Sequence, residues 1–113
     1  LLFQRDVGGL EVQDVDGVWH AVAPENDSIV INTGDLMERW TNGMYRSTPH
    51  RVQPKLGDID RYSIAMFVDP DSETPIGVLE GCLSEGEQPK FSEVTAGEYI
   101  QQRIKDSHRG KPI

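Results

Sequence analysis

The chain has 113 residues, enough for one small domain, and contains no run approaching the roughly 20 consecutive apolar residues of a transmembrane helix. Its net charge of −8 argues against a nucleic-acid partner, because phosphates require a basic face. Cys82 is the only cysteine, which excludes an internal disulfide and fits a reducing cytoplasm, the predicted location.

The first third of the chain predicts a β-hairpin and a further strand. Two short runs, residues 10–13 and 18–22, flank Asp14-Val15-Asp16-Gly17, and Asp-Gly is a strong hairpin signal because both residues tolerate positive φ. The β-branched run at residues 28–32 predicts a strand that is buried on both faces, and Gly34 ends it.

A helical turn and an interrupted strand are predicted next. Asp35 stands three residues before Glu38, a capping-box spacing that predicts a single helical turn. Residues 41–43 predict a turn, and residues 45–52 predict a strand that is interrupted by Pro49. Proline inside a strand indicates an edge, a bulge or an irregularity that faces a site.

The remaining residues predict two more strands and a helix. Residues 62–68 form the strongest strand pattern in the chain, and residues 76–79 form a weaker one. Thr95 and Glu98 repeat the capping-box spacing ahead of residues 96–107, whose apolar side chains fall on one helical face. Many short strands at regular spacing predict a β-sandwich or barrel.

Three histidines are candidates for a functional role. His20 lies in a hairpin strand and His108 at the end of the last helix, where a cation is favoured, so both are interpreted as structural. His50 differs because Arg61 and Ser63 follow it closely. From spacing alone, however, a strand histidine is more often a satisfied polar residue, and that interpretation stays open.

Arg61 and Ser63 have the spacing of a carboxylate-binding pair. A metal that activates oxygen needs open positions, which two histidines and one carboxylate on one face provide. A dicarboxylate cosubstrate then needs its far carboxylate fixed, and an arginine with a nearby hydroxyl can do this. Arg61 and Ser63 are two residues apart and share one face of a strand. The alternative is a surface arginine beside an ordinary sheet serine.

Five ordered stretches resemble the catalytic domain of the isopenicillin N synthase-like oxygenases, which use iron(II) and 2-oxoglutarate. They are Gly8-Gly9-Leu10-Glu11-Val12, Ile31-Asn32-Thr33-Gly34-Asp35-Leu36, Trp40-Thr41-Asn42-Gly43, Tyr45-Arg46-Ser47-Thr48-Pro49-His50-Arg51-Val52 and Arg61-Tyr62-Ser63-Ile64. The final stretch, residues 95–100, is similar to the family's last helix. No single motif decides the matter, but the ordered set covers nearly the whole chain.

The resemblance implies a mainly β fold, a partial double-stranded β-helix (jelly roll) with a C-terminal amphipathic helix. It divides the chain into residues 1–94, the jelly-roll portion, and residues 95–113, the helix and tail. By the same resemblance, His50 is an iron(II) ligand, and Arg61 and Ser63 bind the distal carboxylate of 2-oxoglutarate. The implied co-reactants are O2 and a small-molecule substrate.

The main departure from the family is that the chain contains no His-x-Asp pair, which supplies the other two metal ligands. The resemblance implies that the pair stands within about ten residues upstream of Leu1, close enough to converge on one ion. The chain is therefore expected to be the C-terminal part of a longer enzyme. Asp14 and Asp16 are poor substitutes for the missing carboxylate, because both fit the hairpin turn.

Three functional hypotheses follow from these residues. The first is the C-terminal part of an oxygenase, inactive alone, that couples 2-oxoglutarate decarboxylation to oxidation of a small molecule. The second is a metal-free small-molecule-binding module that keeps the carboxylate clamp, meaning Arg61 and Ser63. The third is a non-functional gene fragment. The residues do not select among hydroxylation, desaturation, ring closure and ethylene formation.

Overall fold

The computed structural model describes residues 1–53 and 59–108. The strands are β1 (Leu2–Gln4), β2 (Leu10–Gln13), β3 (Trp19–Ala21), β4 (His50–Val52), β5 (Ser63–Ala65), β6 (Pro75–Ile76) and β7 (Val94–Thr95). The helices are α1 (Asp35–Trp40) and α2 (Ala96–His108), and a 3-10 turn covers Glu80–Cys82. Within these residues, neither helix has the length and apolar character needed to cross a membrane.

The chain divides into two compact units, which are described separately. Unit 1 consists of Leu1–Thr33 and Ser47–Val68, and unit 2 consists of Gly34–Arg46 and Asp69–Ile113. The predicted division between residues 94 and 95 falls inside β7 and stays a prediction.

Unit 1 contains two small antiparallel sheets. The first has the order β3-β2-β4, and its β2–β3 hairpin turns through Gly17, whose φ is +81°. This confirms the hairpin predicted from Asp-Gly. In the second sheet β1 pairs with β5, so that Gln4 lies opposite Ser63. Val30 adds a single bridge to Leu2 on the other side of β1.

Two predicted strands of unit 1 are shorter than their sequence patterns indicated. The run at residues 28–32 contributes only the bridge at Val30, and Ile31 is 74% exposed rather than buried. The run at residues 62–68 forms a strand only over Ser63–Ala65. A strand requires hydrogen-bonding partners, and in the described residues β1 alone pairs with β5.

Unit 2 packs its small core around Ile76 and Ala96, both fully buried. β6 pairs with β7, and α2 follows β7 directly. The predicted capping box of α2 is confirmed: the N–H of Glu98 donates to Oγ1 of Thr95 at 3.3 Å, and the Thr95 N–H donates to the Glu98 carboxylate at 3.2 Å. These bonds fix the first residue of the helix.

The capping role predicted for Asp35 is wrong. α1 begins at Asp35 itself, and its N-cap is Gly34, which has extended backbone and no side chain that could cap the helix. The carboxylate of Asp35 instead accepts a hydrogen bond from the Tyr99 hydroxyl at 2.9 Å. It also forms an ion pair with Nε of Arg103 at 3.0 Å. Burial, and then the bond to Asp35, raise the pKa of Tyr99. Asp35 therefore ties α1 to α2.

The backbone at Gly34 does not require a glycine. Its φ of −105° is accessible to any residue, and a Cβ added there would meet nothing within 4 Å. The predicted turn at residues 41–43 is present, with φ of +53° at Asn42 and +87° at Gly43. Asn42 is buried and accepts the N–H of Lys90 at 2.8 Å, so the turn also anchors a distant loop.

Candidate active site

Arg61 is half-buried, and its guanidinium is held by two side chains of the β1–β5 sheet. Nη1 donates to Oγ of Ser63 at 3.1 Å, and Nη2 donates to Oε1 of Gln4 at 3.4 Å. Because Gln4 and Ser63 are register partners across β1 and β5, both acceptors belong to one cross-strand pair. Arg61 and Ser63 therefore share a face, as their spacing predicted.

Gly9 lies beside the side chain of Arg61 and closely approaches the backbone of Gln53. Gly9 has φ +127°, a conformation that favours glycine, and a Cβ built there would lie 2.8 Å from the carbonyl oxygen of Gln53 and 3.6 Å from Cδ of Arg61. Nε of Arg61 is buried and has no hydrogen-bond partner within the described residues.

His50 is exposed at the start of β4, opposite Val12 of β2. Its Nδ1 lies 3.2 Å from the carbonyl oxygen of Thr48. A carbonyl can only accept a hydrogen bond, so Nδ1 carries the proton and Nε2 keeps its lone pair in the neutral ring. This tautomer is the one that a metal-binding histidine needs when its other nitrogen donates to the backbone.

The neighbouring side chain of β4 has a structural role. Nε of Arg51 pairs with the Glu11 carboxylate at 2.7 Å, and its guanidinium lies 4.0 Å from the centre of the Trp19 ring. Successive side chains of a strand point to opposite faces, so β4 separates the tethered Arg51 from His50.

Gly9 lies beside both Arg61 and Gln53, the residue that follows β4. The N–H of Gln53 donates to the carbonyl of Gly9 at 2.8 Å, and Gly9 lies against Arg61. Gln53 stands three residues after His50, which corresponds to about 10 Å along a strand. Gly9 therefore links the residues that follow His50 to the surroundings of Arg61.

The other histidines have the structural surroundings that the sequence predicted. Nε2 of His20 lies 2.6 Å from the Asp14 carboxylate, which also accepts the backbone N–H groups of Asp16 and Val18. The bond from His20, followed by that from Val18, lowers the pKa of Asp14. Asp14 is thus occupied within the hairpin, and His108 is exposed at the end of α2.

In residues 1–53 and 59–108, no group of three or more His, Cys, Asp and Glu side chains is arranged to hold a metal ion. Within the described residues, His50 can therefore supply at most one ligand of a metal site.

Two residues of the site were not predicted from the sequence. The local sequence patterns gave Gln4 no role and included Gly9 only as part of a family motif. Gln4 contacts a residue 57 positions away, and its register with Ser63 cannot be read from local patterns. A backbone signal for Gly9 was present in the glycine pair Gly8-Gly9 ahead of a strand.

A sequence model of the 2OG-Fe(II) oxygenase superfamily matches residues 1–70 of the chain. The chain belongs to this superfamily. Known relatives extend the similarity into the last third: a 2-oxoglutarate-Fe(II) type oxidoreductase (ppzD) of Metarhizium majus is 41% identical over 111 residues, covering 92% of this chain and 32% of the relative. Feruloyl CoA ortho-hydroxylase 2 of Arabidopsis thaliana is 37% identical over 112 residues, covering 98% of this chain and 31% of the relative.

Solved oxygenase structures have the same fold. The crystal structure of a full-length Neurospora crassa protein in complex with alpha-KG and thymine matches with a TM-score of 0.84 and 34% identity, over 94% of this chain and 33% of that one. The predicted class, a mainly β partial jelly roll with a C-terminal helix, is confirmed. This oxygenase chain spans about a third of the length of the curated relatives it matches.

Proposed function

We propose that this chain is the C-terminal part of an enzyme that couples oxidative decarboxylation of 2-oxoglutarate to oxidation of a small organic molecule by O2. Iron(II), when bound, supplies the site at which O2 is activated. The protein residues bind and orient the reactants and limit access of water. The predicted cytoplasmic location belongs to the same proposal.

The arrangement around Arg61 is the observation that carries the proposal. Arg61 is always charged, it is half-buried, and its Nη1 contacts the Ser63 hydroxyl at 3.1 Å. Arginine with an adjacent hydroxyl offers a carboxylate several charge-assisted donors of fixed geometry. We assign Arg61 and Ser63 to the distal carboxylate of 2-oxoglutarate.

His50 supports the metal part of the proposal. Its Nδ1 contacts a backbone carbonyl, which leaves Nε2 available as a ligand. The described residues fit one ligand position of a site with two histidines and one carboxylate. We place the remaining ligands, a His-x-Asp pair, in the full-length protein within about ten residues before Leu1.

The substrate is proposed only as a small organic molecule. Among the similar proteins, one is named for the ortho-hydroxylation of feruloyl CoA, and one was crystallised with thymine. A thioester and a pyrimidine base share little chemistry, so the relatives support the reaction class better than any one substrate.

The test is the affinity of the full-length, iron(II)-loaded protein for 2-oxoglutarate, measured by calorimetric titration without oxygen. Arg61→Ala should weaken binding about 10- to 100-fold, because a hydrogen bond to a charged group is worth about 1.5–3 kcal/mol. Ser63→Ala should weaken 2-oxoglutarate binding less, by about 2- to 10-fold, because the serine hydroxyl is a neutral donor.

Arg51→Ala is the matched control, because Arg51 is tethered by Glu11 and Trp19. It should keep the wild-type affinity. Equal affinities for Arg61→Ala and wild type would overturn the carboxylate assignment. Tight 2-oxoglutarate binding without iron or turnover would favour a metal-free binding module, and absence of binding in a folded full-length protein would favour a non-functional product.

A further inference from the structure

Gln4 is the second side chain that holds the guanidinium of Arg61. Its Oε1 accepts from Nη2 at 3.4 Å, while Ser63 accepts from Nη1 at 3.1 Å. The two acceptors face each other across β1 and β5 in register. Ser63 belongs to the carboxylate clamp proposed above, and Gln4 has no assigned role there.

A guanidinium held from two sides has less rotational freedom than one held from one side. An arginine side chain samples many rotamers, and this freedom is lost when the side chain is fixed by a ligand. Contacts that fix the side chain before the ligand arrives reduce this cost of binding.

The chemistry of Gln4 suits this function. Its amide oxygen accepts a hydrogen bond without a formal charge, so it orients Arg61 and leaves the positive charge available to an anion. A glutamate in the same position would form an ion pair and compete with a bound carboxylate. A residue without an acceptor would leave Nη2 free to rotate the guanidinium away from Ser63.

We propose that Gln4 is a positioning residue for 2-oxoglutarate, acting through Arg61 rather than by contact with the cosubstrate. This inference rests on the function proposed above. It extends that function by naming the contact that sets the guanidinium orientation, and it predicts an energetic coupling between residues 4 and 61.

The test is a double-mutant cycle in the full-length, iron(II)-loaded protein, read out as 2-oxoglutarate affinity by anaerobic calorimetry. Gln4→Met keeps the length of the side chain but removes the acceptor, and should weaken binding about 3- to 10-fold. In the Arg61→Ala background the same substitution should have no further effect, since the group it orients is gone. Gln4→Asn, whose acceptor is one methylene short, should weaken binding similarly.

A second readout separates positioning from loss of structure. Gln4→Met should raise KM for 2-oxoglutarate while kcat at saturating cosubstrate and the melting temperature stay near wild type. Gln13→Met is the matched control, because Gln13 is also a strand glutamine but its amide donates to Gly17 in the hairpin. It should leave 2-oxoglutarate affinity unchanged.

Three results would overturn the positioning role: an affinity of Gln4→Met and Gln4→Asn within about twofold of wild type, equal losses with and without Arg61, or a loss that follows the melting temperature alone. If Arg61→Ala itself has no effect, the carboxylate clamp fails. If Arg61→Ala weakens binding and Gln4→Met does not, only the role of Gln4 fails.

Discussion

The side chains of His50 and Arg51 differ in what they are free to bind, although they are adjacent on β4. Arg51 is tethered to Glu11 and Trp19, whereas within residues 1–53 and 59–108 His50 bonds only through Nδ1, to the Thr48 carbonyl. The residue type alone does not distinguish a structural histidine from a metal-binding one. The hydrogen-bond partners of the two ring nitrogens distinguish them, because a metal binds to a nitrogen that has a free lone pair.

His50→Ala in the full-length protein should abolish turnover and lower iron(II) affinity by at least about tenfold, a loss that even outer-shell partners of a metal site produce. Iron content after dialysis and 2-oxoglutarate turnover are the measurements. His20→Ala is the control and should retain both, because His20 bonds to Asp14 in the hairpin. Near-normal iron-dependent turnover in His50→Ala would rule out the ligand assignment.

Gly9→Ala should destabilise the protein by roughly 1–3 kcal/mol, the cost of a strained backbone conformation. The added Cβ would lie 2.8 Å from the Gln53 carbonyl oxygen, and the φ of +127° disfavours any other residue. Gly81→Ala should change stability by less than about 0.5 kcal/mol, since a Cβ there meets open space. Urea unfolding measures both, and similar losses for the two variants would contradict this account.

At the scale of elements, the capping-box spacing predicted the start of α2 correctly but not the first residue of α1. Thr95 and Glu98 bond to each other within one turn, so their spacing in the sequence was sufficient to predict the cap. Asp35 and Glu38 have the same spacing, yet Asp35 bonds to Tyr99 and Arg103 on α2. A tertiary contact to a charged partner competes successfully with a local cap.

Thr95→Ala should lower the free energy of unfolding by about 1 kcal/mol, the usual value for a lost N-terminal cap. Thr95→Ser keeps the hydroxyl and should recover most of that loss. Urea unfolding monitored by helical circular dichroism at neutral pH is the measurement. Equal stability of Thr95→Ala and wild type would show that the hydrogen bonds of the capping box contribute nothing.

The capping box should also depend on pH. Hydrogen bonds from Thr95 hold the pKa of Glu98 below its usual 4.5. Because the pKa is lower in the folded state, this stabilisation is complete above pH 4.5 and is lost as the pH falls through the folded-state pKa. Glu98→Gln should therefore be less stable than wild type at neutral pH, and the difference should shrink in acid. A difference independent of pH would contradict the prediction.

At the scale of the whole molecule, several large apolar side chains that are close together in the sequence are exposed to solvent. The segment around β5 is the clearest case, with exposures of 71% for Ile64, 84% for Phe67 and 72% for Val68. Within the described residues, one side of β5 pairs with β1 and the other side has no strand partner. Unpaired apolar edges promote association with other chains.

The isolated 113-residue chain should therefore self-associate, with a sedimentation coefficient that rises with concentration. The double substitution Ile64→Thr and Phe67→Ser should shift it towards the monomer. Val15→Ser is the control, because Val15 is 81% exposed but lies alone in the hairpin turn. A monomer at all concentrations, or equal effects of the control, would show that the β5 segment does not drive association.

The sequence by itself determined the features whose signals are local. Asp-Gly predicted the β2–β3 hairpin, and the spacing of Thr95 and Glu98 predicted the start of α2. Ordered short motifs were enough to predict the oxygenase family and the jelly-roll class. Each of these features depends on residues that are close together in the sequence or on the identity of single residues. The sequence alone therefore contains the information.

Tertiary structure decided the features that depend on partners far along the chain. The β-branched run at residues 28–32 looked like a buried strand, but only Val30 found a partner. The contact between Gln4 and Arg61 joins residues 57 positions apart, and it exists because β1 and β5 pair in one register. The pairing of backbone groups from distant strands decides strand length and register. It also decides that Gln4 is the second acceptor for Arg61. A local sequence pattern does not encode this pairing.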